Sequence, residues 1–291
     1  MPQLRIGTSG WSYPRWRGDF YPAGLAPHDE LGYLAQHLRT VEVNASFYAL
    51  QRPETYRGWA DRTPDDFVFA VKGSRYLTHL KRLVDAETAL ANFFASGLLA
   101  LGPKLGPVLW QLPENMRLDL PRLAAFTALL PRTTEAAVRL ARRHDARVEG
   151  RSFLEPDADR PVRHALEVRH DCYQDARFIE LLRSAGVALV VSDGAGHWPL
   201  LADVTTDFCY LRLHGPLLLY AGGYPAASLD MWAARIRAWT AGSAPPDLPT
   251  IKDRPPEAPT GRDVYVYFDN DSDGRAPFDA TALAERLAEP R

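Results

Sequence analysis

Ionisable side chains of both signs recur at the ends of apolar, strand-like runs in this chain. Glu42 and Asn44 lie in VEVN, Lys72 closes FVFAVK, Glu167 and Arg169 lie in LEVRH, and Arg212 and His214 lie in YLRLH. Successive side chains of a strand point to opposite faces. Glu42 and Asn44 therefore oppose Val41 and Val43, and Glu167 and Arg169 oppose Leu166, Val168 and His170. By the same alternation Tyr210, Arg212 and His214 oppose Leu211 and Leu213, and Tyr265, Tyr267 and Asp269 oppose Val264, Val266 and Phe268. The aliphatic faces suit packing against helices, and the polar faces suit the inside of a sheet closed on itself. Charges placed there are costly unless paired or hydrogen-bonded. Glu42, Lys72, Glu167, Arg169, Arg212 and His214 thus form either a self-satisfied salt-bridge plug or the framework of a ligand pocket. The pocket is the more economical reading.

The residue types define the chemistry such a pocket could do. The guanidinium forks of Arg169 and Arg212 suit carboxylate or phosphate oxygens. Lys72 can pair with Glu42 or Glu167, hold an anion, or act as a Schiff-base nucleophile. Glu42 and Glu167 are candidates for an acid–base pair, with His214 or His79 as proton shuttle. The catalytic candidates are therefore Glu42, Lys72, Glu167 and His214. Aromatic residues crowd the segments that follow the strands: Trp11, Tyr13 and Trp16, then Phe47 and Tyr48, Tyr76, Trp198 and Tyr220. They can stack on a sugar or a base, or simply pack the loops together. His79, His170 and His214, with Glu42, Glu167, Asp193 or Asp269, could supply metal ligands. No tight spacing such as HExxH is present, and no cofactor is indicated. There is no G-x-S-x-G elbow, and none of Ser9, Ser46 and Ser192 has an activating neighbour in sequence.

Positioning these groups falls to an alternation of strands and helices. Strand patterns cover 4–9, 40–45, 67–72, 107–112, 166–170, 187–193, 208–214 and 264–269. Helical patterns cover 29–38, 54–61, 86–101, 120–130, 134–143, 175–184, 229–240 and 280–288. Eight strands interleaved with helices predict a parallel sheet closed into a single (β/α)8 TIM-barrel domain over residues 1–291. An open, doubly wound sheet is the alternative. It is weakened because no glycine-rich dinucleotide fingerprint follows the first strand. Two stretches read as excursions: 147–163, charged and containing Pro156 and Pro161, and 243–262, whose six prolines predict an exposed, semi-extended connection.

Composition narrows the partners. The chain has 291 residues, 46% hydrophobic and 24% charged, with a formal net charge of −2, which is ordinary for a globular protein. A charge near zero does not indicate nucleic acid as partner; a small anionic ligand is expected instead. No run of 18 apolar residues suggests a membrane span, and the start lacks a secretory pattern. Cys172 and Cys209 cannot build a disulfide framework, so a reducing cytoplasm is expected. Lysine is scarce, occurring only at positions 72, 81, 104 and 252, which draws attention to Lys72.

Taken together and in order, the segments GTSGWSYPRW from Gly7, VEVNASFYAL from Val41, FAVKGSRYLTH from Phe69, LWQLPEN from Leu109, EVRH from Glu167, SDG from Ser192, YLRLHG from Tyr210 and VYVYFDND from Val264 resemble the YecE-like family, known as domain of unknown function 72. The resemblance implies a TIM barrel and no established reaction. It places recurrent polar positions on Glu42, Asn44, Lys72, Thr78, His79, Gln111, Glu167, Arg169, His170, Asp193, Arg212, His214 and Asn270. From these and the loop aromatics, the expected substrate-binding residues are Asn44, Tyr48, His79, Gln111, Arg169, Asp193, Arg212, Tyr220 and Asn270. Asp269 stands where the family usually has Asn, Tyr173 replaces a usual Trp, Asp279 replaces an Asn, and the 217–224 loop is short. The leading expectation is an enzyme acting by acid–base chemistry on a small anionic substrate, phosphorylated or sugar-like. The alternatives are a metal-dependent phosphoesterase or nucleic-acid-processing barrel, by fold analogy alone, and a non-catalytic metabolite-binding protein.

Overall fold

The computed structural model describes residues 2–252 and 258–288. It opens with β1 (Leu4–Ser9), α1 (Glu30–His37), β2 (Thr40–Val43), the single turn α2 (Ala45–Tyr48), α3 (Pro53–Asp61) and β3 (Val68–Lys72). Next come α4 (Glu87–Ala95), β4 (Leu105–Gln111), α5 (Leu120–Leu129), α6 (Thr134–Ala141), β5 (His164–Glu167), α7 (Ala176–Ala185) and β6 (Ala188–Asp193). The chain closes with β7 (Phe208–Leu213), α8 (Ala226–Thr240), β8 (Asp263–Phe268) and α9 (Ala276–Ala288). The strands hydrogen-bond in sequence order as one closed parallel barrel, β1 to β8, and the open-sheet alternative is set aside.

Local chemistry explains the boundaries. Pro53 starts α3, where a missing N–H costs nothing. The Asp119, Thr133 and Asp175 side chains accept backbone N–H bonds at the starts of α5, α6 and α7, satisfying donors that a helix start leaves orphaned. The helix expected over 86–101 stops at Ala95. Gly97 takes φ 114°, and a short 3-10 segment, Leu98–Lys104, replaces the remainder. β5 ends at Glu167 rather than His170. Parity therefore does not extend to His170, whose Nδ1 instead accepts the Cys172 N–H at 3.1 Å in a turn. The proline-rich stretch is only partly exposed. Pro245 and Leu248 are buried, and Asp203 accepts the N–H groups of Ile251 and Lys252 at 2.8 Å each. Its residues 253–257 lie outside the described residues.

Two compact units can be distinguished. One, the termini unit, comprises residues up to Val41 and those from His170 onward; the other, the central unit, is Glu42–Arg169. In the termini unit Ser192, Arg212, Tyr267 and Gly7 stand side by side in register across β6, β7, β8 and β1. Side chains that are neighbours in register share a face, so this row lines the barrel interior from strand to strand. Position 7 must be glycine for steric reasons. A Cβ there would come within 1.9 Å of the Thr40 carbonyl oxygen, beside the Thr40 Oγ1–Tyr267 hydroxyl contact of 2.9 Å. In the central unit Lys72 neighbours Leu109, and Gln111 neighbours Glu167. Trp110 points to the other face and packs on Phe93 and Phe126.

Candidate active site

Each unit gathers a polar cluster at the carboxyl ends of its strands. In the central unit, Glu42, Lys72, Glu167 and Arg169 are all buried. Arg169 donates from Nε and Nη2 to Glu167 Oε1, both at 2.9 Å, and its Nη1 lies 3.8 Å from Glu114. The Lys72 ammonium sits 4.5 Å from the centre of the Phe47 ring, a favourable cation–π contact. Ser46 approaches the Lys72 carbonyl at 2.7 Å, which ties the start of α2 to the end of β3.

His79 is held above this cluster by unusual backbone. Tyr76–Leu80 forms a π-helical turn, and Arg82, Leu83 and Asp85 follow with φ of 49°, 67° and 45°. Non-glycine residues in the left-handed region cost energy, and such strain, like π-turns, collects at functional sites. Thr78 Oγ1 lies 2.9 Å from His79 Nδ1, and the Phe47 ring packs edge-on at 5.1 Å. Burial first, then the charges of Lys72, Arg75 and Arg169, push the imidazole down to about 4, with the Glu167 charge opposing. His79 is therefore neutral at pH 7.

The cluster of the termini unit is built on Arg212, which is fully buried. Its Nη2 donates to Asp269 Oδ2 at 2.8 Å and to Ser9 Oγ at 3.0 Å, and its Nη1 lies 2.9 Å from His214 Nε2. A guanidinium only donates. His214 Nε2 must then be the acceptor, and the ring proton belongs on Nδ1, which faces Ser192 Oγ at 3.4 Å. Ser192 in turn accepts from the Trp198 indole at 2.8 Å. With both nitrogens engaged, His214 positions Arg212. Tyr220, held at φ 63°, packs edge-on against the His214 ring at 5.5 Å.

Other expected residues build the loops around this cluster. Asp193 accepts the Tyr224 hydroxyl at 3.0 Å. Asn270 donates to Asp279 at 2.7 Å and to the Gly222 carbonyl at 2.8 Å. Burial raises the pKa of both Asp193 and Asp279.

Alternation had not singled out Asp271. Its Oδ1 accepts the Trp16 indole N–H at 3.2 Å, and its Oδ2 is buried without a hydrogen bond. Burial and then the Asp269 charge push its carboxyl up to about 8, against the pull of Trp16 and Tyr13. The signal was present in FDND, where Asp269 and Asp271 are two residues apart. Arg75 was also missed, being one of many arginines. Among the described residues no group of three or more His, Cys, Asp or Glu is placed to hold a metal ion.

A family model described as "Protein of unknown function DUF72" matches residues 5–291. The chain belongs to the DUF72 family. Curated relatives match over shorter stretches. The UPF0759 protein YecE of Escherichia coli K12 is 32% identical over 129 residues, 44% of each chain. The UPF0759 protein YunF of Bacillus subtilis 168 is 31% identical over 115 residues, 38% of this chain and 40% of that one. The chain thus spans less than half the length of these relatives. A crystal structure of a DUF72 family protein from Thermotoga maritima MSB8 superposes with a TM-score of 0.72 over 99% of this chain and all of that one, at 22% identity. One from Enterococcus faecalis V583 reaches 0.70 at 15% identity, covering 99% and 97%. At such identities the likeness establishes the fold, here a TIM barrel. In this DUF72 chain the Asp269 carboxylate balances Arg212, where the family resemblance implies an uncharged Asn.

Proposed function

We propose that this DUF72 protein is an enzyme that binds a small anionic substrate, phosphorylated or sugar-like, and acts on it by acid–base chemistry. The observation that carries the reading is the burial of Lys72 and Arg169 at the strand ends, with the Lys72 ammonium over the same Phe47 ring that packs on His79. A field that repels a proton from an imidazole attracts an oxyanion to the same place. Lys72 and Arg169 bind the anion. Glu167 holds the Arg169 guanidinium, and Gln111 and Asn44 are assigned contacts to the anion. An oxyanion seated there offsets the cations, so it raises the His79 pKa from about 4 toward the range where an imidazole exchanges protons near neutrality. Substrate binding thereby switches on the base. Glu42, buried at the end of β2, is assigned as its acid–base partner. Cys172 and Cys209 are not joined in a disulfide, which supports a cytoplasmic setting.

The test is an NMR titration of the His79 ring in saturating inorganic phosphate and in its absence. The His79 pKa is expected to rise by about one pH unit or more with phosphate in the wild type. Little change is expected in Lys72→Met, which keeps the apolar stem over Phe47. A wild-type titration that phosphate leaves unmoved refutes the anion site.

A further inference from the structure

A cavity of about 240 Å³ opens in the central unit, with Tyr48, Leu50, Ser74, Tyr76, Ala89 and Arg147 among its walls. Its lining is mostly apolar. The Arg147 guanidinium is already paired with Asp145, and the Asn92 amide at the cavity is bonded to the same carboxylate. Tyr48 and Tyr76 are 78% and 45% exposed. A single exposed tyrosine needs no explanation. Two flanking one apolar cavity do, since their faces are the surfaces on which planar groups stack. A dry cavity of roughly 150 Å³ is enough for a benzene ring.

The cavity is joined to the cationic cluster through Phe47. That ring contacts Tyr48 and His79 at 5.1 Å each and carries the Lys72 ammonium over its face. Tyr76 and His79 also share the same π-helical turn. One ring, Phe47, thus stands between the Lys72 ammonium and Tyr48.

We infer that the cavity between Tyr48 and Tyr76 is a ring subsite, and that the substrate is an anion carrying an aromatic or heteroaromatic ring on a short linker. This rests on the anion-binding reading above. Stacking on one or both tyrosines adds affinity that the anion alone does not have.

The experiment compares propyl phosphate with 3-phenylpropyl phosphate by calorimetric titration. Three proteins are used: the wild type, the double variant Tyr48→Ala/Tyr76→Ala, and Tyr48→Phe/Tyr76→Phe. Both positions are solvent-facing, so the variants should fold, and circular dichroism checks this. In the wild type the ring is expected to tighten binding about tenfold. The alanine pair should lose that gain while still binding propyl phosphate, and the phenylalanine pair should keep it. Equal affinity of the two esters for the wild type, or a gain that survives in the alanine pair, overturns the ring subsite and leaves the anion site standing. Binding of neither ester removes both.

Discussion

Asp271 is held in its protonated form by its surroundings, and this has a consequence for stability. Its folded pKa of about 8 lies above the value of about 3.9 for an unfolded aspartate. The folded chain therefore keeps a proton that the unfolded chain has released. The associated stability is complete below about pH 4, declines as pH rises, and is lost through pH 8, at no more than about 1.4 kcal/mol per pH unit. Asp271→Asn should remove this decline. Asp269→Asn should weaken it, because the second-largest cause of the raised pKa disappears. Urea unfolding of the three proteins from pH 5 to 9 measures the effect; a wild-type decline no steeper than that of Asp271→Asn means that Asp271 is ionised when folded. At this scale the sequence was legible where parity applied. Arg212 and Asp269, both given to polar faces by alternation, pair with each other. It was not legible for Asp271, because the burial that keeps its carboxyl protonated is set by tertiary packing and not by any local pattern.

Among the secondary-structure elements, each strand was recognised to within a few residues, because β-branched and aromatic alternation is a strong local signal. The misplaced ends have local causes. α4 stops short at the left-handed Gly97, and α9 begins four residues earlier than the pattern suggested because Pro277 suits a first helical turn. The π-helical turn that carries His79, and the left-handed residues that follow it, have no signature in the sequence. The close approach of β1 to Thr40 was also hidden, a glycine in a strand being ambiguous by itself. Gly7→Ala puts a methyl group onto the Thr40 carbonyl and should lower stability by about 1–3 kcal/mol. A parallel loss of the Thr40–Tyr267 contact is expected to appear as altered tyrosine fluorescence. An alanine variant as stable as the wild type contradicts the geometry.

For the whole molecule, a net charge of −2 says nothing of the grouping of Lys72, Arg75 and Arg169 around His79. Composition was a better guide to the fold, since 291 residues and eight alternating pairs leave little besides a barrel, and among the described residues no helix is long and apolar enough to cross a membrane. The two cysteines were read as unremarkable, and their environments differ. Cys209 is buried in β7, and burial pushes its thiol up to about 12; Cys172 is only half-buried, in the turn just after Arg169. Thiolate is the form that attacks an electrophile, so a maleimide dye should modify the folded protein once, at Cys172, and a thiol count with a disulfide reagent should give one in buffer and two in urea. Two native modifications would show that Cys209 is accessible. The wild-type chain thus offers an attachment point for a fluorescent reporter in the turn that follows Arg169, a label that alters no residue of the cluster and with which the proposed anion binding would be followed.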